Sequence, residues 1–296
     1  LDKYYQLFQV LDHPMIIIES RRNKLSIIDA NRAFLQLTGY SLEHYLKLDD
    51  SALRNFHQID PSRGIYTREK TLFGKNRNRM VRVTQHPFAF DLAEATEHHL
   101  LIYEDLTSVK WIDQKASKDN VLISGVVDKA LRIRFLRNKL STLMLQLDDS
   151  HEDEALLQYL TGEQFSLLQE AFQRANTEHE EQSIKLRTKK LNGIELELSI
   201  TFISNNDAMG NFIEFAFIIS DVKPVNGQAD SGVRLKVLMA KRDMSALELA
   251  AATSISLQTI SKLRNGKIKK PQRLTAELIA SELRVDVREI WPEIGK

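Results

Sequence analysis

Apolar residues recur at every second position, or in short runs, over most of this chain. After residue 232 they recur every three to four positions. The first pattern predicts strands. Pro14–Glu19 and Lys24–Asp29 read as two of them, Tyr66–Phe73 and Met80–Phe90 flank the polar turn Gly74–Asn78 as a hairpin, and His99–Thr107 closes the set. Between the strands, Phe34 and Leu37 share a short helical face, and Gly39 stops it.

The order then repeats more loosely. Leu122–Val127 and Leu131–Phe135 are strand-like, and a helical region is expected from Leu136 to Asn176, with Leu156, Leu157, Leu160, Leu167, Leu168 and Phe172 as its apolar set. Ser183–Lys189 and Ile194–Phe202 flank the turn Lys190–Gly193, with clear alternation at Ile194, Leu196, Leu198 and Ile200, and Asn211–Ile219 is the last strand. Leu1–Leu11 reads as an amphipathic helix with Tyr4, Leu7, Phe8 and Leu11 on one face, and Ser108–Ser117 as a helix joining the two segments. Pro224–Gly232 is polar and rich in breakers, which predicts a flexible linker and loose mechanical coupling across it.

Beyond that linker the period is helical. Met244–Ala250, the short stretch Ala251–Ile255 and Ser256–Gly266 read as helix, turn and helix, each helix opened by a serine able to cap it. In the second helix Ile260 and Leu263 point one way, while Gln258, Ser261, Lys262 and Asn265 fall on the opposite arc with Leu257 at its rim. A helix laid in the major groove of DNA needs this division, apolar behind and hydrogen-bonding in front. Gln can pair with adenine in a bidentate manner, Lys can read guanine, and a leucine can meet a thymine methyl. The candidate base contacts are therefore Leu257, Gln258, Ser261 and Lys262. The candidate phosphate contacts are Ser256, Asn265, Lys267, Lys269 and Lys270.

The segment 233–296 resembles the phage-repressor/Cro-like (xenobiotic-response-element) helix-turn-helix family. Ser254 stands where that family usually has a turn glycine, so a less sharp turn is expected. Ala246 replaces a frequent phosphate-contacting glutamine, and Arg264 a frequent glutamate. The first segment resembles a PAS domain, carried by Asp29–Phe34, Leu37–Ser41, the turn Gly74–Arg77 and the final Glu104–Thr107. The second resembles a divergent PAS domain that lacks the asparagine-containing landmark, with another sheet-plus-helix domain as the alternative. The resemblance implies a sequence-specific DNA-binding transcriptional regulator with sensory or dimerising PAS-like units. The alternatives are a PAS-based interaction scaffold and a haem- or flavin-based redox sensor.

Charge agrees with a polyanion reader. Residues 233–296 hold 13 Lys and Arg against 7 Asp and Glu, a net of +6, and the remainder holds 28 against 33, a net of −5. The chain has 296 residues and no cysteine, which excludes disulfides, Cys-ligated zinc and iron–sulfur clusters, and the cysteinyl-flavin chemistry of a blue-light sensor. No apolar run approaches a membrane span and no signal peptide is seen, so a cytoplasmic protein is expected.

Catalytic motifs are lacking: there is no phosphate-binding glycine loop, HExxH or GxSxG, and no enzyme activity, catalytic residue or metal site is expected. His57 is the one haem-ligand candidate, set against a surface histidine. His98 and His99 alternate across a strand and are poorly placed to share a metal. A small organic ligand in the first PAS-like cavity and an empty dimerising unit stay open. The expected fold is α+β: an N-terminal helix at 1–12, a PAS-like domain at 13–107, a connecting helix at 108–118, a divergent PAS-like domain at 119–222, a linker at 223–232 and an all-α helix-turn-helix domain at 233–296. The partners expected are double-stranded DNA, a second copy of the chain and a small molecule, with no membrane.

Overall fold

The computed structural model describes residues 2–22, 24–57, 59–60, 64–88, 96–118, 121–138, 159–190, 195–225 and 230–295. The chain divides into two compact units, Leu1–Trp111 with Asn205–Ile213, and Ile112–Ser204 with Glu214–Lys296.

In the first unit an antiparallel sheet is built from β1 (Met15–Arg21), β2 (Lys24–Ala30), β3 (Tyr66–Leu72), β4 (Arg79–Phe88) and β5 (Thr96–Asp105), in the order β2-β1-β5-β4-β3. Alternation places Ile16, Ile18, Val81, Val83, Leu101 and Tyr103 on one buried face. Over that core lie α2 (Arg32–Thr38), α3 (Leu42–Leu46), the short α4 (Asp50–Ala52) and a π-helical turn, Leu53–His57. The helix α1 (Asp2–Val10) precedes the sheet, and α5 (Thr107–Ala116) follows it.

Asn31 explains why the landmark asparagine matters. It is fully buried. Its Oδ1 accepts from the backbone N–H groups of Phe34 at 3.0 Å and Met15 at 2.9 Å, and its Nδ2 donates to the carbonyls of Leu11 at 3.2 Å and His13 at 2.7 Å. One side chain caps α2, ties it to β1 and fixes the chain entering the sheet. Gly39 ends α2 in the left-handed region at φ 78°, as the sequence predicts.

The second sheet repeats the plan. It consists of β6 (Ile123–Asp128), β7 (Ile133–Asn138), β8 (Gln182–Arg187), β9 (Leu196–Asn206) and β10 (Phe212–Pro224), ordered β7-β6-β10-β9-β8. That is the strand order of the first sheet, strand for strand. Even the bulge recurs, between Ile17 and Ile18 in the first unit and between Val126 and Val127 in the second.

The helical reading from Leu136 needs correction. Strand β7 continues to Asn138, and the described helix α6 spans Gly162–Glu178. Leu156 and Leu157 lie outside the described residues. Leu160 makes a β-bridge to Thr188, and Leu167 is exposed. The buried stripe of α6 is Leu168, Ala171, Phe172 and Ala175, a spacing that turns Leu167 to the other side. Phe172 stacks on Phe215 with ring centroids 3.9 Å apart and meets Phe202 edge-on at 4.8 Å.

The stretch read as a linker is shorter than expected. Strand β10 runs to Pro224, where a proline is tolerated at a strand end, and α7 (Ser231–Lys241) starts after Asp230. The coupling is also closer. Asp221 on β10 pairs with Lys241 of α7 at 2.5 Å and with Lys223 at 2.8 Å. Val222 and Val237, both buried, line one cleft of about 310 Å³ between β10 and α7. Burial opposes ionisation of Asp221, but the hydrogen bonds and charges of the two lysines outweigh it and hold the carboxyl below the usual range.

Candidate nucleic-acid interface

Five helices form the C-terminal part of the second unit: α7, α8 (Ala246–Thr253), α9 (Leu257–Arg264), α10 (Arg273–Glu282) and α11 (Val287–Ile290). Their common core holds Leu235, Leu249, Ile260, Leu263, Leu283 and Ile290, of which the helical spacing singled out Ile260 and Leu263. Leu238 packs at its edge. Met239, Ala276, Ile279 and Trp291 complete it. Leu274 is exposed. It sits on the first turn of α10, a turn away from the buried stripe of Ala276, Ile279 and Ala280.

Helix α8 starts with a capping box. The Ser245 hydroxyl accepts from the Glu248 N–H at 3.2 Å, and the Glu248 carboxylate accepts from the Ser245 N–H at 2.7 Å. That backbone bond holds the Glu248 carboxyl below its ordinary value. The helix ends at Ser254 in the left-handed region, φ 57°. The turn thus takes the left-handed conformation usual for a glycine, against the less sharp turn expected from the departure from the family pattern. A serine bears the strain because the flanking helices both pack into one core and fix the turn between them.

Helix α9 begins at its N-cap Ser256, whose hydroxyl accepts from the Thr259 N–H at 3.2 Å. Ile260 and Leu263 are buried against α8 and α7, and Leu257, Gln258, Ser261, Lys262 and Asn265 are exposed. All four candidate base contacts thus lie on one free face of one helix. Of the phosphate candidates, Lys267 and Lys269 are exposed on the loop that follows, where Gly266 takes φ 67°. Lys270 is exposed too, and its ammonium pairs with Glu293 at 2.7 Å, which raises its pKa. Ser256 and Asn265 serve first as helix caps, and Asn265 Nδ2 also reaches the Ser261 hydroxyl at 3.5 Å.

Gly232 is the positioning residue that sequence reading missed. A Cβ there would come within 2.8 Å of the Arg264 carbonyl and 2.9 Å of the Leu263 carbonyl. The start of α7 therefore crosses the end of α9 at backbone contact, and this contact fixes how far α9 projects. A buried glycine in a helix start was the only available signal, and it looks like linker composition.

His57 closes the π-helical turn, and its side chain lies outside the described residues. His98 and His99 are both buried on β5. Among the described residues no group of three or more His, Cys, Asp or Glu gathers to hold a metal. Among them, too, no helix is long and apolar enough to cross a membrane.

Residues 234–291 match the family model described as the Cro/C1-type HTH DNA-binding domain, and residues 2–75 match that of the PAS domain. No curated protein matches the chain. Similar solved structures include a PAS domain from a two-component sensor histidine kinase, at 15% identity and a TM-score of 0.29 over 35% of this chain and 94% of that one. The PAS domain of Bordetella pertussis BvgS matches at 15% identity and 0.29, over 39% and 93%. An RNA-binding Light-Oxygen-Voltage receptor matches at 17% and 0.33, over 40% of this chain and 36% of that one. The chain carries two PAS-like units followed by a Cro/C1-type helix-turn-helix DNA-binding domain.

Proposed function

We propose that this protein is a cytoplasmic transcriptional regulator that reads a specific DNA sequence with α9 and works by binding, not catalysis. The observation that carries the reading is the division of α9. Ile260 and Leu263 are locked inside the domain, while Gln258, Ser261 and Lys262 stand free at the helix's N-terminal and central turns. In this family of motifs those turns enter the major groove. Lys267 and Lys269 follow where phosphates run.

One such module makes few base contacts, so the protein acts as a homodimer on two half-sites. The apolar faces of the N-terminal helix and of the connecting helix α5 are the candidates for the seam. On α1 that face splits: Tyr4 and Leu7 are exposed, as are Leu11 just beyond the helix and the adjoining Val10, while Phe8 is half-buried and Gln9 donates to the Ala30 carbonyl at 3.3 Å. On α5, Ile112 is fully buried within the chain. The seam is therefore assigned to the exposed face of α1. The first PAS-like unit takes a small organic ligand as its signal.

Genome-wide mapping of DNA bound by the full chain, followed by titration of the recovered site, tests the reading. A short recurring motif with half-sites about one helical turn apart is the expected result. Uniform binding to any sequence would remove the regulator reading.

A further inference from the structure

Lys70 is the most anomalous side chain in the first unit. It lies on β3 with only 8% of its surface exposed, and among the described residues its Nζ has no hydrogen-bond partner. It faces the core: the register places it opposite Val81, which is fully buried, and two residues from buried Leu72. Burial pushes its ammonium down to about 8, helped by repulsion from Arg68 on the same face of the strand. An amine kept in such a place without a partner is costly.

The carboxylate that the register puts on the same face two strands away is Asp105, opposite Val81 on β5. It is already held by Arg79 at 2.6 Å and by the Thr107 N–H at 2.9 Å. It is not available to neutralise Lys70.

The internal repeat supplies a counterpart for this position. Strands β3 and β8 share one burial pattern over their first six residues, so Leu186 of β8 is the counterpart of Lys70 and Ile184 that of Arg68. Cross-strand partners correspond as well, Leu198 facing Leu186 as Val81 faces Lys70. In the second unit Leu186 and Leu198 line a cavity of about 80 Å³ walled by Phe172, Phe202 and other apolar side chains. The hydroxyl of Thr188 in that wall is spent on backbone, donating to the Lys189 carbonyl at 2.7 Å and accepting from the Leu196 N–H at 3.1 Å. The same fold position is thus apolar in one unit and cationic in the other.

We propose that the first unit binds a small organic anion, a carboxylate whose charged end is held by Lys70 with Arg68 beside it and whose apolar end lies against the core. This rests on the reading that the first unit takes a small ligand, and it names the chemical class. The position of Lys70 matches a cavity wall in the sister unit, and its charge selects the anion. A carboxylate would give the buried ammonium its missing partner and raise its pKa again.

Isothermal titration of the full chain with acetate, hexanoate and benzoate, each against its amide, tests this. The members of each pair differ in charge and little in shape. Carboxylates should bind roughly tenfold or more tightly than their amides, the usual worth of a hydrogen bond to a charged group. Lys70→Leu, which copies the second unit, should abolish that preference, and Lys70→Arg should keep part of it. Equal binding of acids and amides, or an acid preference that survives Lys70→Leu, would overturn the anion while leaving a ligand-binding unit in place. No binding by any of the six compounds would remove both. The acid-to-amide comparison on the unaltered chain stands even if the leucine variant fails to fold.

Discussion

Arg79 and Asp105 form a buried pair in the first unit, Nη1 to Oδ2 at 2.6 Å, with the arginine side chain 1% exposed. The same guanidinium donates to the Asn205 Oδ1 at 3.0 Å and to the Asn206 carbonyl. Asp105 in turn accepts from the Thr107 N–H and hydroxyl where α5 begins. One ion pair therefore ties β4, β5, the start of α5 and the segment Asn205–Ile213 into a single unit.

Breaking that pair from one side leaves a buried charge without its partner. Asp105→Ala should destabilise the first unit by about 3–5 kcal/mol. Thermal unfolding followed by circular dichroism should show an early transition belonging to this unit. A melting curve that is unmoved would mean the pair is not the tie described.

On α9, Gln258→Ala should weaken operator binding by ~1–3 kcal/mol and relax preference at one base position. Lys267→Ala should weaken all sequences alike and lower the slope of log affinity against log salt by about one. Fluorescence anisotropy on the mapped site and on scrambled DNA separates the two effects. If both variants bind like the parent, α9 does not face the DNA.

Ser254 holds a left-handed conformation that costs a side-chain-bearing residue about 1–2 kcal/mol, partly offset for glycine by its greater freedom in the unfolded chain. Ser254→Gly should stabilise the helical domain by about 0.5–1 kcal/mol, and Ser254→Val should destabilise it. Chemical denaturation of the two variants checks the signs. Opposite signs would contradict the strained turn.

The tie between β10 and α7 should depend on pH. The Asp221 carboxyl is depressed in the folded protein, so its contribution is fully present above the ordinary aspartate value of about 4 and is lost as pH falls through the lower folded value. Hydrogen-exchange protection, corrected for the intrinsic rate, should fall at the end of α7 around Lys241 below about pH 4 in the parent more than in Asp221→Asn, which has already lost the charge. The same acid response in both would assign the loss to other carboxylates.

Dimerisation through α1 predicts that Leu7→Glu with Val10→Glu converts the protein to a monomer in light scattering. Site affinity should fall as the second module is no longer tethered. A dimer that persists would place the seam elsewhere.

The sequence by itself determined the local chemistry. Period and capping residues located α8 and α9: Ser245 and Ser256 cap them, and Ile260 and Leu263 are the buried pair. Alternation found most strands, because side-chain direction in a strand follows from position alone. Matters that depend on contacts between distant residues were decided only by the tertiary structure. Strand β10 reaches Pro224 and Asp221 grips Lys241, so a breaker-rich stretch that looks loose in sequence lies beside a packed contact. Leu167 looks like core from its type and is exposed because four better-spaced neighbours define the buried stripe of α6. Lys70 reads as an ordinary surface lysine in an alternating strand. Alternation puts it on the face of Leu72, but only the tertiary structure shows that the ammonium itself is covered there, opposite fully buried Val81.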